Sequence, residues 1–103
     1  MKWIEVINLR TAGQERTRRL QEIIQELMFA SLRVDGLTDI KIYNHAAVDT
    51  DLGIHLRWDS ATIATDGSAL AMQIADVLQD FGLVYSDVWV EQPVTMHPEH
   101  SKK

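Results

Sequence analysis

The chain contains no cysteine, which excludes disulfides, thiolate metal sites and cysteine nucleophiles. Proline is scarce at two residues and glycine modest at five, and no linker, low-complexity block or solenoid repeat interrupts the sequence. A basic excess is also missing. Ten Lys and Arg face fifteen Asp and Glu, for a formal net charge of −5, which argues against a general nucleic-acid or anionic-membrane binder. No window is apolar enough for a membrane span, and the N-terminus turns polar soon after Trp3 without a secretory hydrophobic region. A cytoplasmic location is therefore the default expectation. No Ser-His-Asp order, phosphate-binding glycine loop or dinucleotide fingerprint occurs. What is present is ordinary globular composition, 46% hydrophobic and 24% charged over 103 residues, enough for one core and too short for two.

Lys2 to Leu9, KWIEVINL, is rich in β-branched and aromatic residues and predicts a strand. Thr11 and Gln14 have capping-box spacing. Leu20, Ile23, Ile24, Leu27 and Met28 then repeat at helical spacing, with Arg18, Arg19, Glu22 and Glu26 on the outer side. The helix is expected to stop before Asp35-Gly36. Thr38 to His45 predicts a second strand and Leu52 to Asp59 a third, the latter with clean alternation of Leu52, Ile54, Leu56 and Trp58 against Gly53, His55, Arg57 and Asp59. Asp66-Gly67-Ser68 supplies cap chemistry for a second helix over Ala69 to Phe81, and Gly82 supplies its stop. Leu83 to Glu91, LVYSDVWVE, is the last strand. Its Val84, Val88 and Val90 oppose Tyr85, Asp87, Trp89 and Glu91.

The order β-α-β-β-α-β over residues 1–92, with a polar tail over 93–103, predicts one ferredoxin-like α+β domain. Right-handed crossovers give a four-stranded antiparallel sheet of order 4-1-3-2, with two helices on one face. The other face, collected by parity, is expected to hold Trp3, Glu5, Ile7 and Leu9 from the first strand. Lys41, Tyr43, His45, His55, Arg57, Asp59, Tyr85, Asp87, Trp89 and Glu91 complete it. So many large apolar groups form too large a patch for a monomer to leave in water, which predicts a homodimer through this face or a ligand cavity on it.

The element order, the length and the strands LGIHLRWDS and LVYSDVWVE resemble the dimeric α+β barrel group, particularly domains similar to antibiotic biosynthesis monooxygenases. That resemblance covers residues 1 to about 92. It implies that two sheets pack into a barrel and that small hydrophobic substrates sit in a cleft within each subunit. Some members oxidise aromatic polyketides without metal or cofactor, and others degrade haem. The haem branch would match Asn8 and Trp58 by element, but it expects a histidine on the second helix, and residues 67 to 82 contain none. Other families of this topology fit less well: an RNA-recognition domain would place Glu5 and Asp59 badly, and a metal chaperone would need a cysteine pair. Acylphosphatase would need an anion loop that Arg10-Thr11-Ala12-Gly13 only faintly echoes.

Glu5, Arg57 and Asp87 are expected side by side. They read either as a polar cluster that orients a ligand or moves a proton, or as an ion-pair network inside an interface. His55, beside Arg57, titrates near neutral pH in its ordinary state; a hydrogen-bonded interface histidine is the alternative to a catalytic one. Trp3, Ile7, Tyr43, Tyr85 and Trp89 read as the ligand or dimer face. His45, Asp49, Asp51 and His55 follow no established metal-ligand spacing, and His97 and His100 read as a solvated end, so no metal and no cofactor is expected. Arg10, Arg16, Arg18 and Arg19 gather near a helix start, but Glu15 and Glu22 interleave with them and make a solvated charged face. Two functions follow from the sequence. One is a homodimeric binding or structural domain without catalysis of its own, whose partners are a second copy and a small hydrophobic ligand. The other is a cofactor-independent monooxygenase or isomerase acting on a small hydrophobic or aromatic metabolite.

Overall fold

A computed structural model describes residues 1–11, 18–31, 33–48 and 51–93. The order is β1 (Lys2–Thr11), α1 (Arg18–Ser31), β2 (Leu37–Asn44), β3 (Asp51–Asp59), α2 (Ala69–Leu78) and β4 (Gly82–Val90), with a 3₁₀ turn at Gln79–Phe81 before β4. The sheet runs β2-β3-β1-β4 with all neighbours antiparallel. This is the ferredoxin-like α+β arrangement, with β1 and β3 in the centre. Thr11 is the last residue of β1, and its capping-box partner Gln14 lies outside the described residues, as do Arg16, Asp49, His97 and His100.

The turns form where the backbone requires them. Gly36 has φ +85°, a left-handed conformation that glycine reaches without a Cβ penalty, and it separates α1 from β2. Ser68 caps α2, its hydroxyl accepting from the Ala71 N–H at 3.0 Å. Gly82, expected as the stop of α2, is instead the first residue of β4. A Cβ there would lie 2.3 Å from the Arg10 carbonyl oxygen, so the close approach of β4 to the end of β1 depends on its absence.

The core lies between the helices and one sheet face. β3 contributes Leu52, Ile54, Leu56 and Trp58, β1 contributes Trp3, Ile7 and Leu9, and the helices add Leu20, Ile24, Leu70, Ile74 and Leu78, all buried. Each fully buried aliphatic side chain stabilises the fold by about 1.5–3 kcal/mol before chain entropy is counted. Ile40, Ile42, Val84 and Val88 extend the same layer over the outer strands.

One strand has the opposite parity to that predicted. Trp3, Glu5, Ile7 and Leu9 do not lie on the uncovered face; they are buried under the helices. The register explains it: Trp3 pairs with Trp58, Ile7 with Ile54 and Leu9 with Leu52, and directly paired residues share a face. Both parities of β1 carry apolar residues, Ile4 and Val6 on one and Trp3, Ile7 and Leu9 on the other. Glu5 made the buried choice look costly, but in the fold its carboxylate is fully supplied with donors.

Candidate functional site

Glu5 is 1% exposed. Its Oε1 accepts from the Trp58 indole N–H at 2.8 Å and from the Ser68 hydroxyl at 2.6 Å, and its Oε2 accepts from the Ser68 backbone N–H at 2.8 Å. The ring of Trp3 stacks on Trp58, with centroids 5.2 Å apart and planes 12° apart, and its N–H donates to the Ser60 hydroxyl at 2.8 Å. These groups tie β1 and β3 to the start of α2. Charge-assisted bonds of this kind offset the cost of burying a carboxylate. The expected cluster of Glu5, Arg57 and Asp87 does not form: Glu5 lies on the covered face, whereas Arg57 and Asp87 lie on the other.

The uncovered face carries Ile4, Val6, Asn8 and Arg10 from β1, in place of the residues expected there. Tyr43, Tyr85 and Trp89 are on it as predicted, with exposures of 48%, 46% and 59%. A bulge between Leu37 and Asp39 turns β2 so that Asp39 falls opposite Arg57 and Lys41 opposite His55. Arg57 reaches Asp39 at 3.9 Å, Arg10 reaches Asp51 at 3.4 Å, and the N-terminal amine reaches Asp59 at 3.1 Å. Asp87 pairs in register with Val6.

One row across this face reads Tyr43, Gly53, Asn8, Tyr85. Two tyrosines at the outer strands and a glycine and asparagine between them make a trough, and a cleft of about 350 Å³ occupies it. Its sides include His55, Arg10, Asp51 and His45. A Cβ on Gly53 would sit 3.7 Å from the Asn8 amide oxygen and 3.8 Å from His55 Nε2, so the missing side chain is space rather than strain relief.

The His55 ring is tilted against Tyr43, with centroids 4.5 Å apart. Partial burial lowers its pKa from the ordinary 6.5, because desolvation disfavours the imidazolium. Neutral imidazole carries both a donor and an acceptor nitrogen, so His55 can hydrogen-bond a hydroxyl, carbonyl or enol placed over Gly53. His45 lies beyond the end of β2. Its Nδ1 accepts from the Ala47 and Val48 N–H groups at 3.0 and 3.1 Å, which commits that nitrogen to the turn and leaves the proton on Nε2.

Among the described residues no group of three His, Asp or Glu could hold a metal ion. The haem-branch pair is also separated, since Asn8 and Trp58 project from opposite faces of the sheet, and α2 brings no histidine. Between the helices and the sheet, a small cavity of about 10 Å³ lies beside Ile24, Leu27 and Ile74. Asn8 and Arg10 were not expected on this face, and Gly53 was not expected to shape a site. The first two followed the misassigned parity of β1, whereas Gly53 was already marked by its place in the alternation of β3.

The fold and this face define a ferredoxin-like α+β domain with one sheet face covered by helices and the other open and aromatic. No protein-family profile matches the chain, and no curated protein matches it. Solved structures do. A conserved protein from Methanosarcina mazei Go1 is similar with a TM-score of 0.70 at 14% identity, over 88% of this chain and 93% of that one. Rv0793 from Mycobacterium tuberculosis is similar at 0.69 and 15%, over 93% and 100%. A proposed antibiotic biosynthesis monooxygenase from Nitrosomonas europaea is similar at 0.68 and 13%, over 92% and 94%. The chain thus has the fold seen in antibiotic biosynthesis monooxygenase-like domains.

Proposed function

We propose that this protein is a homodimeric binding domain of the α+β barrel type, joined through the open sheet face, with the cleft over Gly53 as its ligand site. The observation that carries this reading is the exposure of Tyr43, Tyr85 and Trp89 on one face whose opposite side is already packed by both helices. Aromatic side chains are enriched in interface cores, and contiguous apolar patches mark contact surfaces. Trp89→Ala is expected to weaken dimerisation in sedimentation velocity; an unchanged profile would remove Trp89 from the interface.

A second reading has specific support. The neutral His55 beside Tyr43 in an aromatic cleft suits a cofactor-independent oxygenase or isomerase acting on a small aromatic metabolite, and several similar structures are proposed monooxygenases. In that reading His55 accepts or returns a substrate proton. His55→Ala should then abolish turnover of an aromatic substrate while leaving the far-ultraviolet circular dichroism spectrum intact. Retained turnover would exclude His55 as the base.

A further inference from the structure

A Cβ added to Gly53 would lie 3.7 Å from Asn8 Oδ1 and 3.8 Å from His55 Nε2, so side-chain atoms from two strands converge on one point above the glycine. Both residues are half-buried in the cleft, and among the described residues neither side chain has a hydrogen-bond partner. The Asn8 amide nitrogen lies farther from that point than its oxygen, which sets the three groups in the order Nδ2, Oδ1, Nε2. With the imidazole proton on Nε2, the row reads donor, acceptor, donor. The surroundings are close to neutral. Arg10, at the end of the cleft, is paired with Asp51 at 3.4 Å, and partial burial disfavours the His55 imidazolium.

We infer that the cleft recognises the imide edge of a neutral planar heterocycle, the C(=O)–NH–C(=O) unit that uracil-, xanthine- and isoalloxazine-type rings share. This rests on the reading of the cleft as the ligand site and names the edge that the site selects. The imide N–H donates to Asn8 Oδ1, one flanking carbonyl accepts from Asn8 Nδ2, and the other accepts from His55 Nε2. An acceptor-donor-acceptor edge is the complement of the row that the protein presents. A simple phenol has one hydroxyl and leaves at least one of the three groups unpaired, which costs affinity in a partly desolvated site. The absent side chain of Gly53 leaves the space into which the edge inserts, and Tyr43 and Tyr85 on either side offer aromatic surface to the ring. With Arg10 committed to Asp51, the lining offers a phosphate no unpaired Lys or Arg. That favours a free ring or its uncharged derivatives over a nucleotide.

Two isomeric probes isolate the imide. 1-Methylquinazoline-2,4-dione keeps the N–H between its carbonyls, whereas 3-methylquinazoline-2,4-dione carries a methyl group there at the same composition and size. Binding of each is followed by titration calorimetry and by the shift of the Gly53 amide signal in NMR spectra. The 1-methyl isomer should bind about tenfold more tightly or better, the discrimination expected of a good bidentate pair. Asn8→Asp keeps the side-chain shape but turns the Nδ2 donor into an acceptor, and it should weaken the 1-methyl isomer by about tenfold. Affinities for uracil, xanthine and lumichrome then separate a pyrimidine, a purine and a flavin as the source of the edge. Equal binding of the two isomers, or a preference unchanged in N8D, would overturn the imide assignment. If neither isomer binds but 2-naphthol shifts Gly53, the imide assignment falls and the ligand site stands. If no aromatic probe shifts Gly53, the ligand site falls with it.

Discussion

Replacing Glu5 with leucine tests whether the buried carboxylate is a structural clamp. The substitution keeps the volume apolar and removes the acceptor for the Trp58 indole N–H and the Ser68 backbone N–H. Each buried donor left unpaired costs about 1–3 kcal/mol, and losing a carboxylate at the start of α2 costs a further 0.3–1 kcal/mol or so. Relief from burying a charge offsets part of this. The expected net loss is about 2–4 kcal/mol, a large share of the roughly 5–15 kcal/mol typical of whole domains. At about 4–8 °C per kcal/mol for a domain of this size, Tm should fall by roughly 10–25 °C. Urea unfolding of E5L, of Trp58→Phe and of the double variant supplies a cycle. A coupling of at least about 1 kcal/mol is expected, because the two residues share a bond. A loss under about 0.5 kcal/mol with additive single effects would refute the clamp and reopen Glu5 to another role.

Three further outcomes follow from the same geometry. Gly82→Ala should destabilise by more than about 2 kcal/mol, because its Cβ would overlap the Arg10 carbonyl at 2.3 Å; Gly53→Ala, which meets only ordinary contacts, should cost less than about 1 kcal/mol, as a denaturant titration of both would check. Gly53→Leu should obstruct the floor of the 350 Å³ cleft and weaken small-ligand binding in calorimetry while the protein stays folded. The lowered pKa of His55 means that the unfolded chain binds the proton more readily, so stability should decline as pH falls through the ordinary histidine value of 6.5 toward the lower folded value. His55→Asn should flatten that stretch of the urea-midpoint profile, and an identical slope would assign the loss to other groups.

Periodicity alone located the elements because each reports on its own packing. The alternation in LGIHLRWD assigned both faces of β3 correctly, since every apolar residue there falls on one parity. The helical spacing of Leu70, Ile74 and Leu78 did the same for α2. The open-face positions of Tyr43, His55, Arg57, Tyr85, Asp87 and Trp89 were legible for the same reason. β1 was not, because Ile4 and Val6 on one parity and Trp3, Ile7 and Leu9 on the other both offer apolar side chains, and Glu5 sits among the latter. A shift of parity by one residue moves every side chain to the opposite face, and it carried Trp3, Glu5 and Ile7 away from the predicted site and Asn8 and Arg10 into it.

By itself the sequence determined the order of elements, the sheet topology and the absence of cysteine chemistry, since these depend on local spacing, crossover handedness and composition. Only the tertiary structure decided which face of β1 is buried, that Glu5 is a clamp held by Trp58 and Ser68, and that Gly53 opens a trough between Tyr43 and Tyr85. Those outcomes depend on contacts between residues far apart in the chain, the Glu5–Ser68 bond spanning 63 positions. No local pattern encodes whether a carboxylate will find donors at that distance. It is the supply of donors that allows a charge in the core.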